Sequence, residues 1–244
     1  SCVIVRVARP PPALGRFNSF VEASMNQTKG ARSMIPKAVY WDMDGTLIDS
    51  EPLHESSLVA ALRSVGIEPP VDLHARVVGQ AARPVYEFLR DQFGLGLEFD
   101  DWIARKYDHY MSHAPSLLPR DGAMEIFRDM KASGAVQAIV SNSDRMVVDA
   151  NLRAVGLHEP AMRTISRNDV RNGKPDPEPY LRAAWLTGID PADTVVMEDS
   201  FTGASAGVAA GMRTIFWPQD KIDGLDGALI AHNADEVRAI LGLS

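Results

Sequence analysis

Three times along the chain a short apolar run breaks off in acids or hydroxyls. Ala38-Val39-Tyr40-Trp41 runs into Asp42-Met43-Asp44-Gly45-Thr46, Val136-Gln137-Ala138-Ile139-Val140 into Ser141-Asn142-Ser143, and Val195-Val196-Met197 into Glu198-Asp199-Ser200. Runs of this length, rich in Val, Ile and aromatics, predict strands buried on both faces. Between them lie segments of helical period: Gly122 to Ser133, Arg145 to Val155 closed by Gly156, Glu178 to Thr187 with Gly188 after it, and the small-residue stretch Thr202 to Ala210. Shorter strands are predicted at about Met162 to Ser166, at Thr194 to Met197 and, as the last strand, at Arg213 to Trp217. Asp235 to Leu241 predicts a closing helix. Strands that alternate with helices predict a mostly parallel sheet covered on both faces, an α/β fold with a Rossmann-like core.

One block breaks the alternation. Leu53 to Val65 has Leu53, Leu58, Ala61, Leu62 and Val65 on one helical face, and Arg83 to Phe93 and Asp100 to Met111 also read as helices. No crossover between the first two strands needs so much chain. Residues 53–118 therefore read as an inserted, all-helical cap domain, residues 36–52 and 119–244 as the α/β core, and Pro52 and Pro119 as hinge positions.

Residues 1–35 have a different composition. Arg6, Arg9, Arg16, Lys29 and Arg32 face one acid, Glu22, and Pro10-Pro11-Pro12 sits among them. An organelle transit peptide would look like this, as would a translated upstream region with Met34 as the natural start. We expect a tail with no part in catalysis, and a cytoplasmic protein.

The 244 residues suit one large domain or a core with an insertion, with 45% hydrophobic and 23% charged residues, ordinary for a globular enzyme. A net charge of -7 speaks against nucleic acid or an anionic membrane as partner. It also requires that positive charge at any anion site be local. With Cys2 as the single cysteine there is no internal disulfide and no thiolate metal cluster, and no apolar run is long enough to span a bilayer. We expect a monomer or weak dimer that binds a small molecule.

The candidate chemistry sits at the strand ends, where open parallel sheets place their sites. Asp42 and Asp44 would share a side of a regular strand, and Gly45 lets the chain turn so that the second carboxylate can be aimed separately. One can serve as nucleophile or metal ligand and the other as general acid and base. An Asp-Gly turn after an edge strand would give the same pair without chemistry. Ser143 or Asp144 can cap the helix that follows the second run. In Asn172-Gly173-Lys174-Pro175-Asp176-Pro177-Glu178-Pro179 three prolines stiffen the backbone around one ammonium group.

Asp42-Met43-Asp44-Gly45-Thr46 resembles the first motif of the haloacid dehalogenase-like superfamily of phosphotransferases. Ser141, Lys174 with its Pro-x-Pro run, and Glu198-Asp199 resemble the second, third and fourth, in the family's order, over residues 37–217. The resemblance implies a Mg²⁺-dependent phosphatase. Asp42 would be phosphorylated and Asp44 would handle the proton. Ser141 and the backbone N–H of Asn142 would hold phosphoryl oxygens, with Lys174 neutralising charge. Asp42, the Asp44 carbonyl and Asp199 would hold Mg²⁺, with Glu198 behind them or acting through water. Gly203, Ala204, Ala206, Gly207, Ala209 and Ala210 read as a slim helix for close packing.

The cap's position resembles the subclass containing phosphoglycolate phosphatase, sugar-phosphate phosphatases and β-phosphoglucomutase, which implies a small phosphorylated substrate, a sugar phosphate among the candidates. Asp49-Ser50-Glu51-Pro52-Leu53-His54 resembles the cap entry of the sugar-phosphate members, and His54 stands where the mutase has a histidine. Gly79 to Arg83 resembles a cap loop with a substrate-binding arginine, one residue longer than in the mutase. Arg105-Lys106 resembles a basic pair on its last long cap helix. A phosphosugar mutase is the alternative to hydrolysis. The dehalogenase branch lacks the second aspartate and needs no metal, so Asp44 and Asp199 argue for phosphate.

Overall fold

The computed structural model describes residues 35–77, 80–220 and 224–243. The expectations for the N-terminal tail and for Gly79 fall outside them, Ile35 apart.

Six parallel strands form one sheet: β1 (Ala38–Trp41), β2 (Val136–Val140), β3 (Arg163–Ile165), β4 (Thr194–Glu198), β5 (Arg213–Phe216) and β6 (Ala228–Ile230), in the order β3-β2-β1-β4-β5-β6. β1 is central, with Ala38 opposite Val136 on one side and Thr194 on the other. The chain winds outward from β1 through β2 to β3 and then restarts beside β1 with β4. That reversal makes a crevice at the carboxyl ends of β1 and β4.

Strand alternation divides the core. Val39 and Trp41 of β1 face a cluster built from α5 (Ala123–Ala132), α6 (Arg145–Ala154) and α9 (Ala234–Leu241). Ala38 and Tyr40 face one built from α7 (Glu178–Thr187) and α8 (Phe201–Ala209). All four β1 residues are buried, so the apolar run is the sequence of a strand with a helical layer on each side.

The intervening block is helical as expected: α1 (Glu51–Arg63), α2 (Leu73–Val77), α3 (Ala82–Phe93) and α4 (Phe99–His113). It has its own apolar cluster, with Leu58, Leu62, Leu73, Val85, Leu89 and Trp102. α4 belongs to both parts: Trp102 packs in the block's cluster and Tyr110 in the sheet's. The two linkers run antiparallel, with Asp49 N–H donating to Leu118 O and Arg120 N–H to Leu47 O, both at 3.0 Å. Among the described residues no helix is long and apolar enough to cross a membrane.

Two elements differ from the sequence expectation. β6, three residues of which none is fully buried, follows β5, so Arg213–Phe216 is not the last strand. α2 is a single short helix between Pro70 and the cap loop. Neither is long enough to display a period.

Candidate active site

β1 ends at Trp41, and the two aspartates part company. Asp42 Oδ1 accepts from Lys174 Nζ at 2.6 Å. Gly45 follows at φ 78°, and a side chain there would put its Cβ 2.2 Å from Asp199 Oδ2. Glycine is required both by the turn and by the approach of the β4 end. Thr46 Oγ1 donates to Asp199 Oδ1 at 3.0 Å, closing the loop over the crevice.

Lys174 is buried and its ammonium uses all three protons: Asp42 Oδ1 and Glu198 Oε1 at 2.6 Å and Val140 O at 2.7 Å. Burial lowers its pKa, but the charges of Asp42 and Glu198 outweigh that and push it up to about 12. It is a fixed cation. Glu198 Oε1 also accepts from the Tyr180 hydroxyl at 2.6 Å, and Oε2 from Ser200 Oγ at 3.2 Å. Gly203 lies against this carboxylate, where a Cβ would fall 1.8 Å from Glu198 Oε1. Gly203 therefore serves the site as well as helix packing, while Gly207 packs on Val196 and Thr214 as the small-residue pattern predicts.

Carboxylate oxygens of Asp42, Glu198 and Asp199 lie within 4.8 Å of one another. Three carboxylates and one ammonium leave two formal negative charges in a crevice where Asp42 and Glu198 are buried. Burial, then the Glu198 charge, drives the Asp42 carboxyl well above its ordinary value, with Lys174 pulling the other way. Burial and Glu198 bring Asp199 up to about 7, against the Thr46 hydrogen bond and the Arg120 charge. A hard divalent cation with oxygen ligands fits that set, in donor type and in charge.

Asp44 has a different surrounding. Its Oδ1 accepts from Ser50 Oγ at 2.7 Å and Asn151 Nδ2 at 3.0 Å, with His54 Nε2 at 3.2 Å. Its Oδ2 accepts from Ser143 Oγ at 2.7 Å and Ser141 Oγ at 3.2 Å. Burial raises the pKa, but the His54 charge and the hydrogen bonds from His54, Ser50 and Ser143 together bring it down to about 2. Asp44 is a carboxylate in this arrangement, and it must be loaded with a proton before it can serve as an acid.

Of the residues singled out in the sequence, Asp42, Lys174, Glu198 and Asp199 form one group, and Asp44, Ser141 and His54 another beside it. Asn142 follows Ser141, and its side chain is spent on the backbone of Lys174, accepting from Lys174 N–H at 2.9 Å and donating to Lys174 O at 3.1 Å. Lys106 on α4 comes close enough to feel the charges of Asp44, Glu51 and Asp144, while burial lowers its pKa. Arg83 does not join them. It is exposed on α3 with its guanidinium 3.7 Å over the Phe99 ring. Arg105 is exposed too and donates to Ser64 Oγ at 3.2 Å.

Sequence reasoning missed Ser50, Ser143, Asn151 and Tyr180. Ser143 and Asp144 were candidate caps for α6, but Ser143 Oγ goes to Asp44, and Asp144 makes no side-chain cap and accepts from the Tyr107 hydroxyl at 2.6 Å. Asn151 left one signal: an amide on the stripe of Val147, Val148 and Leu152, which faces the core.

The profile of a protein family described as haloacid dehalogenase-like hydrolase matches residues 36–211. The N-acetylmuramic acid 6-phosphate phosphatase of Pseudomonas aeruginosa is 30% identical over 182 residues, 73% of this chain and 80% of that protein. The phosphorylated carbohydrates phosphatase of Thermotoga maritima is 28% identical over 181 residues, 74% of this chain and 84% of the other. The crystal structure of CbbY from Rhodobacter sphaeroides in complex with phosphate superposes with a TM-score of 0.74 at 23% identity, covering 85% of this chain and all of that one, 100%. That last likeness is one of fold.

Proposed function

The chain belongs to the haloacid dehalogenase-like hydrolase family, and from that premise we propose that it is a Mg²⁺-dependent phosphatase of a small phosphorylated metabolite, a sugar phosphate by class, working through a phosphoaspartate at Asp42. The observation that carries this reading is the crevice itself: Asp42 and Glu198 share one buried lysine, Asp199 joins their carboxylates within 4.8 Å, and Asp44, gripped separately, stands two residues from Asp42. Relatives named for phosphorylated carbohydrates and for N-acetylmuramic acid 6-phosphate support the substrate class.

In the first step an Asp42 carboxylate oxygen attacks phosphorus in line. Asp44, a carboxylate in the free site, takes up a proton from solvent as the phosphate dianion binds; the bond from phosphorus to the leaving oxygen then breaks, and that oxygen takes the proton from Asp44. In the second step water attacks phosphorus, gives its proton to Asp44, and the Asp42–phosphorus ester bond breaks. Inorganic phosphate leaves, Asp42 is a free carboxylate again, and Asp44 returns its proton to solvent, which restores the free site. Lys174, held between Asp42 and Glu198, offsets charge on the nucleophile and on the transferring group. Ser141 Oγ and the Asn142 N–H hold phosphoryl oxygens. Asp42, Asp199 and the Asp44 carbonyl would hold Mg²⁺, with Glu198 behind them, already tied to Lys174, Tyr180 and Ser200. When bound, the ion supplies positive charge to the phosphoryl oxygens.

Residues 53–118 act as a cap on the core, moving on the paired linkers at 47–49 and 118–120, with Pro52 in the first turn of α1 and not in the linker, and excluding bulk water when closed. His54, at 3.2 Å from Asp44 Oδ1, and Lys106, close enough to feel the Asp44 charge, read the rest of the substrate. Arg83, exposed and stacked over Phe99, has no part in this reading.

The test is phosphate release from a panel of sugar phosphates, phosphoglycolate and nucleoside monophosphates, with and without Mg²⁺, using Asp42→Asn as the blank. Metal-dependent release that disappears in Asp42→Asn is expected. No release from any of them by folded protein would sink the reading. A mutase remains the second reading, because His54 sits 3.2 Å from Asp44 Oδ1 as its resemblance implies. Conversion of β-glucose 1-phosphate to the 6-phosphate without net phosphate release would decide for it.

A further inference from the structure

Asn151 is fully buried on α6, on a stripe otherwise made of Val147, Val148 and Leu152. An amide in such a place is costly unless both of its ends are bonded. Both are. Nδ2 donates to Asp44 Oδ1 at 3.0 Å, and Oδ1 accepts from the Tyr110 hydroxyl at 3.0 Å. Tyr110 comes from α4 and is itself fully buried, with its ring centroid 4.6 Å from that of His54. One turn earlier on α4, Tyr107 donates to Asp144, just before α6 begins, at 2.6 Å. The helix that carries Lys106 is thus tied to both the start and the middle of α6.

The donors around Asp44 are not equivalent. Ser50, Ser141 and Ser143 offer hydroxyls, which rotate between donating and accepting. An amide has one donor end and one acceptor end, and Tyr110 holds the acceptor end of this one. Beside the ring of His54, Asn151 is therefore the neighbour of set orientation, its amide fixed from behind, and it helps to fix the plane of the Asp44 carboxylate.

We propose that Asn151 is a positioning residue: its amide, held from behind by Tyr110 of the helical block, aims the Asp44 carboxylate and ties the seating of α4 to proton transfer. This rests on the reading of Asp44 as the group that gives a proton to the leaving oxygen. Withdrawal of α4 would take Tyr110 away and leave the amide free to turn, so Asp44 would be correctly aimed only with the block in place.

The test uses the leaving group. Alkyl phosphates such as glucose 6-phosphate and glycerol 2-phosphate need a proton on the departing oxygen. p-Nitrophenyl phosphate and acetyl phosphate release stable anions and do not. kcat/KM reports the steps up to that departure. Asn151→Leu keeps the bulk and removes both polar ends. It should lower kcat/KM for the alkyl phosphates by about tenfold or more while leaving the activated ones within about twofold, since a well-placed general acid contributes roughly a hundredfold or more. Tyr110→Phe should give the same split, smaller. Circular dichroism checks the fold, and if Asn151→Leu does not fold, Tyr110→Phe decides alone. Equal losses on both substrate types, or no loss in either variant, would overturn the proposal while leaving the phosphatase in place. Wild-type protein inert toward every phosphate ester would instead remove the reading beneath it.

Discussion

Asn142 and Lys174, 32 positions apart, hold each other by two reciprocal hydrogen bonds between the amide of one and the backbone of the other, at 2.9 and 3.1 Å. The loop after β2 and the proline-stiffened lysine loop are thereby one unit. Gly173 permits it, because a Cβ there would lie 2.7 Å from Asn142 Oδ1. Glu178 secures the other side of the loop, accepting from the N–H groups of Arg171 and Asn172, both at 2.9 Å. Lys174 reaches Asp42 from a mount fixed at both ends.

Asn142→Ala should therefore loosen the ammonium without removing it. We expect kcat to fall about tenfold with KM changed little, because the lost interaction positions charge in the transition state. Stability should fall by about 1–2 kcal/mol, the usual cost of two part-buried hydrogen bonds. Asn142→Asp keeps the acceptor for Lys174 N–H and should recover part of the stability. Steady-state kinetics beside urea melts check this, and unchanged kcat in a folded Asn142→Ala protein would contradict it.

Gly203→Ala tests how tightly Glu198 is boxed in. The new methyl group would sit 1.8 Å from Glu198 Oε1, so the carboxylate must shift. That shift breaks its bonds to Lys174 and Tyr180. Overpacking of this kind costs about 1–3 kcal/mol, and activity should fall by about a hundredfold as Lys174 loses its seat. Gly207→Ala, which presses only on Val196 and Thr214, should lower melting temperature without that loss of activity. Comparable activities in the two variants would count against the argument.

The charge of the crevice predicts a metal effect that does not depend on turnover. Three clustered carboxylates, of which Lys174 pairs with Asp42 and Glu198, repel one another until a divalent cation enters. Mg²⁺ at about 100 times its Kd should stabilise the fold by about 2.7 kcal/mol, roughly 5–10 °C in a chain of this size. EDTA should reverse the shift, and Asp199→Asn should shrink it. An equal shift from NaCl at matched ionic strength would show that no site is being filled.

The parts of this site that the sequence displays are those where an apolar strand runs straight into polar residues. Asp42, Ser141 and Asp199 stand at such breaks, and Lys174 is marked by its prolines. α7 spans Glu178–Thr187 as its glycine stop and proline start indicate. The residues that stayed hidden are those whose partners are distant in the chain. Asn151 and Ser143 meet Asp44 across 107 and 99 positions, and nothing local in their surroundings requires it. Ser50 precedes a helix, which suggests a cap, but its hydroxyl goes to Asp44. Gly203 sits among small residues, so packing accounts for it until Glu198 is found beside it. Arg83 shows the reverse: a basic residue at a suggestive place, exposed and in a cation–π contact with Phe99.

The turn after β3 carries a pH signature of its own. Asp169 Oδ2 accepts from Ser166 N–H at 2.7 Å and Ser166 Oγ at 2.6 Å, in a capping box, and pairs with Arg145. Burial raises its pKa, but the Ser166 hydrogen bonds and the Arg145 charge outweigh that and hold it below the ordinary 3.8. A carboxyl lowered on folding stabilises the folded state above its unfolded pKa and loses that contribution as pH falls through the folded value. Asp169→Asn should then be less stable than wild type by about 1 kcal/mol at neutral pH, with the Arg145 share discounted for solvent screening. The deficit should stay constant down to about pH 5 and narrow below about pH 4, as the wild-type carboxyl takes up its proton. Paired thermal melts across that range measure the difference directly. A deficit that grows on acidification would have the sign wrong and would mean that the Asp169 carboxylate is destabilised, not held, by its surroundings.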